Sequence, residues 1–158
     1  MMLGTFAALT VALVVWRARV YAYVVALPGW VHAIGWLVIA AAMLFGFVAD
    51  RQIGFHVRSF APFFTPGERI QLQTGGVYGV VRHPIYASGI WCQIGIFLVT
   101  GYLAVAVACA VLGLGALWFT RQEERRLVEL LADPSEYQRY RERVPALLPF
   151  RWRRPPAR

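Results

Sequence analysis

Two long apolar runs organise the chain. Val20–Ala49 and His83–Thr120 contain no Asp, Glu, Lys or Arg. A helix needs about 20 apolar residues to cross the hydrocarbon layer of a bilayer. The first run therefore holds one span, Val31–Ala49, with Pro28-Gly29-Trp30 read as a turn before it. The second run is too long for one helix and long enough for two. Gly101 near its middle predicts a tight hairpin between spans at 84–100 and 102–119. Met1–Trp16 is a further apolar segment with neither a basic start nor a small-residue cleavage site before Arg17, so it reads as a retained first span.

The polar stretches complete the pattern. Asp50–Arg82 reads as a long connection. Its Phe55, Phe60, Phe63 and Phe64 suit a segment lying on the bilayer, and Pro66-Gly67 marks a turn. Beyond Thr120 the helix is expected to leave the membrane, with Leu127, Leu130 and Leu131 forming an i, i+3, i+4 stripe. Asp133-Pro134-Ser135-Glu136 has the form of a helix start. Asp133 would cap, Pro134 would take the first helical position, and Glu136 would complete a capping box. Tyr137, Tyr140 and Val144 share one face of that helix, and Pro145 ends it. Leu147-Leu148-Pro149-Phe150 is an extended apolar strip able to tuck back, followed by a basic tail at 151–158. The expected architecture is all-α: a polytopic membrane bundle of about four spans in one domain, 1–150, with cytoplasmic C-terminal helices.

Composition agrees with a membrane protein. Hydrophobic residues make up 59% of the chain and charged ones 15%, against about 25% charged in ordinary soluble domains. The net charge of +8 is carried by arginine alone, and ten of the sixteen arginines lie in 121–158 among six acids. That distribution marks the flank of a membrane domain, which favours the cytoplasmic side and anionic headgroups. It argues against a nucleic-acid partner. The loop 50–82, at net +2, falls on the same side in a four-span topology. Cys92 and Cys109 lie inside expected spans without ligand spacing and read as small buried hydrophobes, so no metal is expected.

Candidate chemistry gathers at one helix mouth. Residues 75–86 read Gly-Gly-Val-Tyr-Gly-Val-Val-Arg-His-Pro-Ile-Tyr. Pro84 suits the first helical turn, and the residue before a proline is pushed out of helical geometry. His83 is therefore placed at the boundary of a span, with Arg82, Tyr78 and Tyr86 around it. The hairpin returns Glu123-Glu124 to the same membrane face. Adjacent glutamates on a helix point about 100° apart, so one is expected to face the site and the other solvent or an arginine. A carboxylate, an imidazole, a guanidinium and aromatic rings at a lipid boundary suit a small zwitterionic ligand that carries a cation.

These motifs resemble a known family. Gly-Val-Tyr-Gly-Val-Val-Arg-His-Pro-Ile-Tyr-Ala-Ser-Gly, then Glu-Glu-Arg-Arg-Leu, then Tyr-Gln-Arg-Tyr-Arg-Glu-Arg-Val-Pro-Ala-Leu-Leu-Pro-Phe look like the isoprenylcysteine carboxyl methyltransferases. They are also similar to the related phospholipid N-methyltransferases. The resemblance covers residues 65–150. It implies S-adenosyl-L-methionine bound by the last two spans and the C-terminal helices, with a lipophilic acceptor entering from the bilayer. Matched by motif, Tyr78, Val81, His83, Pro84, Tyr86, Glu123 and Glu124 would form the cofactor site. Arg82 and His83 would be catalytic, and Tyr137, Tyr140 and Arg143 would meet substrate. A carboxylate acceptor ranks first, because the pocket edge is arginine-rich, and an amine second. The alternatives are a membrane NADPH-dependent reductase of the sterol-reductase type and a non-catalytic membrane protein.

Overall fold

A computed structural model describes residues 21–58, 72–131 and 133–149. Met1–Trp16, Phe60, Phe63, Phe64, Pro66-Gly67 and Arg151–Arg158 lie outside the described residues. The described residues form four α-helices: α1 (Gly29–Arg58), α2 (Pro84–Thr100), α3 (Leu103–Leu130) and α4 (Pro134–Arg143). One 3₁₀ turn, Gly76–Gly79, precedes α2. The described residues form no strand. One antiparallel bridge, Val24 to Tyr102, ties the chain before α1 to the α2–α3 turn. Val25 N–H donates to Gly101 O at 2.8 Å, and Leu103 N–H donates to Tyr23 O at 3.0 Å.

Gly29–Ile53 and Leu103–Glu129 are long and apolar enough to cross a membrane. Only 11% of each apolar window is buried inside the fold, so neither is the core helix of a soluble domain. The apolar face that would fill such a core points outward, as at Leu37, Leu44, Val111, Leu114 and Trp118. The intervening apolar helix α2 has 17 residues, about 25 Å of rise.

Two expectations are corrected here. The connection 50–82 is shorter than the charge pattern suggests, because α1 runs on to Arg58. Asp50, Arg51 and Gln52 end the apolar run, yet none of them is a helix stop. Hydropathy marks where a helix leaves lipid, and the helix itself continues, with Arg51 seated 4.9 Å over the Phe47 ring. Pro28-Gly29-Trp30 is a helix start in place of a turn, and Val31 N–H donates to Pro28 O at 2.9 Å.

Helices α1 and α2 pack antiparallel and closely because small residues face each other. A Cβ on Gly35 would lie 2.9 Å from Gly95 O, and a Cβ on Gly95 would lie 2.9 Å from Gly35 O. The hairpin from α2 to α3 forms where Gly101 was expected to place it. Gly101 has φ +67°, and its N–H donates to Phe97 O at 2.7 Å. A Cβ there would fall 2.3 Å from Val25 O. Gly101→Ala is therefore expected to cost at least about 1–2 kcal/mol from left-handed strain alone, read as a lower unfolding temperature in detergent.

Candidate functional site

Three elements build the mouth of α2. The first is the end of α1. Gln52 Oε1 accepts from Val77 N–H at 3.2 Å, and its side chain fills the space where a Cβ on Gly76 (φ +56°) would sit. This seats the 3₁₀ turn on α1, and Tyr78 Oη donates to Ala49 O at 3.5 Å. The second is the start of α2. His83 occupies the N-cap and Pro84 the first helical position, as the His-Pro pair predicts. The third is the C-terminal segment. Arg82 N–H donates to Pro145 O at 2.8 Å and His83 N–H to Ala146 O at 3.0 Å. Residues 145–146 thus lie across the mouth as a strap.

Helix α4 supports the strap from behind. Asp133 caps it, accepting from Ser135 N–H at 2.9 Å. The expected capping box does not close through Glu136, whose N–H goes to the Asp133 carbonyl at 3.2 Å. Ser135 is closer to the cap, and its hydroxyl donates to Asp133 Oδ2. The buried face of α4 is Tyr137 and Tyr140, packed on Leu131 with Leu127, Val128 and Val144 around them. The side chain of Leu130, the remaining member of the expected stripe, lies outside what is described. Tyr140 Oη donates to Tyr78 O at 2.6 Å, across 62 residues of sequence. Tyr140→Phe leaves that buried carbonyl without its donor. It is expected to cost about 1–3 kcal/mol, measured by chemical denaturation. Burial pushes the Tyr140 phenol up to about 12 and those of Tyr78 and Tyr137 further. All three therefore remain neutral O–H groups at physiological pH.

A charged cluster sits at the centre. Arg82 Nη2 and Nε both donate to Glu124 Oε1, at 2.7 and 3.0 Å. Its Nη1 donates to the carbonyls of Arg141 and Val144. His83 Nε2 lies 3.0 Å from the same Glu124 oxygen. A carboxylate only accepts, which assigns a proton to Nε2. His83 Nδ1 faces Glu123 Oε2 at 3.6 Å, beyond a hydrogen bond. The His83 and Tyr86 rings lie 6.1 Å apart. The cluster is largely dry: the side chains of Arg82, His83 and Glu124 are 9%, 5% and 10% exposed.

Against this geometry, the sequence profile of phospholipid methyltransferases matches residues 30–133. The chain belongs to that family. The matched region begins in α1, upstream of the motifs that suggested the resemblance, and ends at the cap of α4. No curated protein and no solved structure matches the chain. Family membership and the two exposed apolar helices together support a membrane methyltransferase.

Of the site residues expected from the motifs, the fold brings together Tyr78, Arg82, His83, Pro84, Tyr86, Glu123, Glu124, Tyr137 and Tyr140. Val81, 1% exposed, stands beside this group and lines an apolar cleft. Arg143 is exposed, and its Nε donates back to Arg139 O at 3.2 Å. Sequence reasoning left out the end of α1, Ala49 and Gln52, because it assigned Gln52 to a loop. It also left out the strap carbonyls of Pro145 and Ala146, which carry no side-chain signal. Both glutamates contact His83, and only Glu124 is also held by arginine. Among the described residues, two buried side-chain polar atoms have no hydrogen-bond partner, Glu123 Oε2 and the Tyr137 hydroxyl.

Proposed function

We propose that the chain is a membrane-embedded, S-adenosyl-L-methionine-dependent methyltransferase acting on a lipophilic acceptor. Besides family membership, one observation carries the reading. In a cluster whose other charges satisfy each other, Glu123 Oε2 is buried with no hydrogen-bond partner, and His83 Nδ1 stands 3.6 Å away. A buried carboxylate oxygen in that state is costly unless a ligand meets it. Its neighbours suit a cation, since the Tyr86 phenol interacts with Glu123 and an aromatic face attracts positive charge. The donor set therefore fits S-adenosyl-L-methionine. Glu123 and Tyr86 would hold its cationic part, and Tyr137, whose hydroxyl is also unpartnered, would supply a further polar contact. When bound, the cofactor supplies an electrophilic methyl group on a sulfonium.

The chain's own residues position and exclude water. Glu124 and Arg82 fix the His83 ring and clamp the strap, so the reacting groups sit in a dry mouth at a lipid boundary. The sequence ranked a carboxylate acceptor first on the strength of its arginines. Arg82, however, already donates to Glu124 and to two carbonyls, which leaves it little capacity to grip a second carboxylate. A phospholipid head can carry an amine, which is compatible with the phospholipid methyltransferase match. We therefore place an amine first and a carboxylate second. A proton lost from an amine would pass to Glu123 or His83, the groups facing each other at 3.6 Å. The reading extends to four spans, with the mouth, the 50–58 end of α1 and α4 on the cytoplasmic side.

The test is a titration in detergent with S-adenosyl-L-methionine, its demethylated product and NADPH, followed by transfer of labelled methyl into membrane lipid. Binding of the first two and base-stable label in lipid are expected. Base-labile label would move the acceptor to a carboxylate. Binding of NADPH alone would replace methyl transfer with the reductase alternative.

A further inference from the structure

The two ring nitrogens of His83 face two different glutamates. Nε2 lies 3.0 Å from Glu124 Oε1 and donates to it, so that nitrogen keeps its proton whatever the charge on the ring. Nδ1 faces Glu123 Oε2 at 3.6 Å, and that oxygen is buried without a hydrogen-bond partner. A neutral imidazole with its proton on Nε2 carries a lone pair on Nδ1. An ionised Glu123 would set a second lone pair against it, beside a ring only 5% exposed. Two unsolvated acceptors facing each other are costly. One proton on either atom removes that cost.

The surrounding charges agree. Arg82 and Glu124 pair at 2.7 Å and cancel each other. From α4, Arg141 stands 3.8 Å from Glu124 Oε2 but is 63% exposed, so solvent screens it. Tyr86 of α2 and Tyr78 of the 3₁₀ turn interact with Glu123, and Tyr137 and Tyr140 of α4 with Glu124 and Arg82. From α1, Asp50 acts on the Tyr78 phenol. The strap presents main-chain carbonyls. Among these groups, only a proton held with His83 balances the charge of Glu123.

We propose that His83 and Glu123 together bind one proton in the free site, and that a cationic ligand arriving at Glu123 displaces it. The proposal rests on the methyltransferase reading for the ligand, S-adenosyl-L-methionine, and on geometry for the proton. Proton and ligand compete for one carboxylate. The ligand-bound state holds fewer protons, so affinity rises with pH, by up to about tenfold per unit for one proton. The displaced state leaves a lone pair on His83 Nδ1, placed to take a proton from an amine acceptor. Binding of the cofactor thereby prepares the base.

The test has two arms on the full chain in detergent. In the first, the ligand-free protein carries ¹⁵N-histidine and ¹³C-carboxyl glutamate and is followed by NMR across pH. His83→Asn identifies His83 among the three histidines, His32, His56 and His83. One step common to His83 and Glu123 is expected, as for coupled groups, and Glu123→Gln should abolish or move the step at His83. Separate steps in the wild type overturn the shared proton, whether or not the variant folds. So does a His83 step that Glu123→Gln leaves in place. In the second arm, calorimetry with S-adenosyl-L-methionine in buffers of different ionisation enthalpy counts the protons released. About one per ligand is expected on the acid side of the common step, and none from Glu123→Gln. Binding without proton release, or with affinity independent of pH, refutes the displacement and leaves the methyltransferase reading standing. No binding alongside a common step refutes that reading and the displacement, and leaves the shared proton standing.

Discussion

Glu124→Ala is expected to destabilise the fold by about 3–5 kcal/mol, the cost of stripping one partner from a buried ion pair. Glu124 Oε1 receives Arg82 at 2.7 and 3.0 Å and His83 at 3.0 Å. Its removal strands a guanidinium that is only 9% exposed. Arg82 also holds the Arg141 and Val144 carbonyls, so the loss propagates to the strap and α4. Denaturant unfolding in detergent measures it. The double variant Arg82→Met/Glu124→Met removes both charges and is expected to recover much of the stability without recovering activity. A cost for Glu124→Ala below about 1 kcal/mol, typical of a solvent-screened pair, would show that the cluster does not bind the mouth together.

Glu123→Gln is expected to do the opposite. Its Oε2 is buried and has no hydrogen-bond partner, so the fold gains little from its charge. Stability should hold or rise slightly, because a carboxylate with one buried oxygen that lacks a hydrogen bond is replaced by a neutral amide. Affinity for S-adenosyl-L-methionine should fall by about 1–3 kcal/mol, the cost of losing a charged contact. Calorimetry and thermal unfolding on the same preparation separate the two quantities. Equal losses in stability and affinity would make Glu123 a structural residue like its neighbour, and undisturbed affinity would remove it from the cofactor site.

The division of labour between these neighbours explains what the sequence could reveal. Pro84, Gly101 and Asp133-Pro134 act through local backbone geometry, and each begins or ends an element where the residue type requires it. The convergence of His83 and the acidic pair follows from the hairpin, which is itself local. Which glutamate takes the arginine is not local. The 100° offset between adjacent helical positions is symmetric until α4 and the strap fix Arg82. The strap was legible only as an apolar tail, because it docks through main-chain carbonyls that every residue possesses. The length of α1 was misjudged for a related reason, since polar residues end a membrane span without ending a helix. The apolar cleft had no sequence signature at all. It arises where alanines on α1 and α2 face each other, and an alanine in an apolar run reads the same on any face.

The strap also sets the order in which the site can be made. Arg82 waits for Glu124, 42 residues later, and for Val144, 62 residues later. A chain emerging from the ribosome at about 5–20 residues per second would place α1 and the hairpin in lipid seconds before the residues that close the mouth exist. During that interval a guanidinium and an imidazole stand at a half-built boundary without their final partners. A chain cut before Pro145 would keep Glu124 and Val144 but lack the carbonyls that take the Arg82 and His83 N–H groups. Such truncations should insert into membranes normally and yet present an open, wet mouth to proteases and degradation machinery.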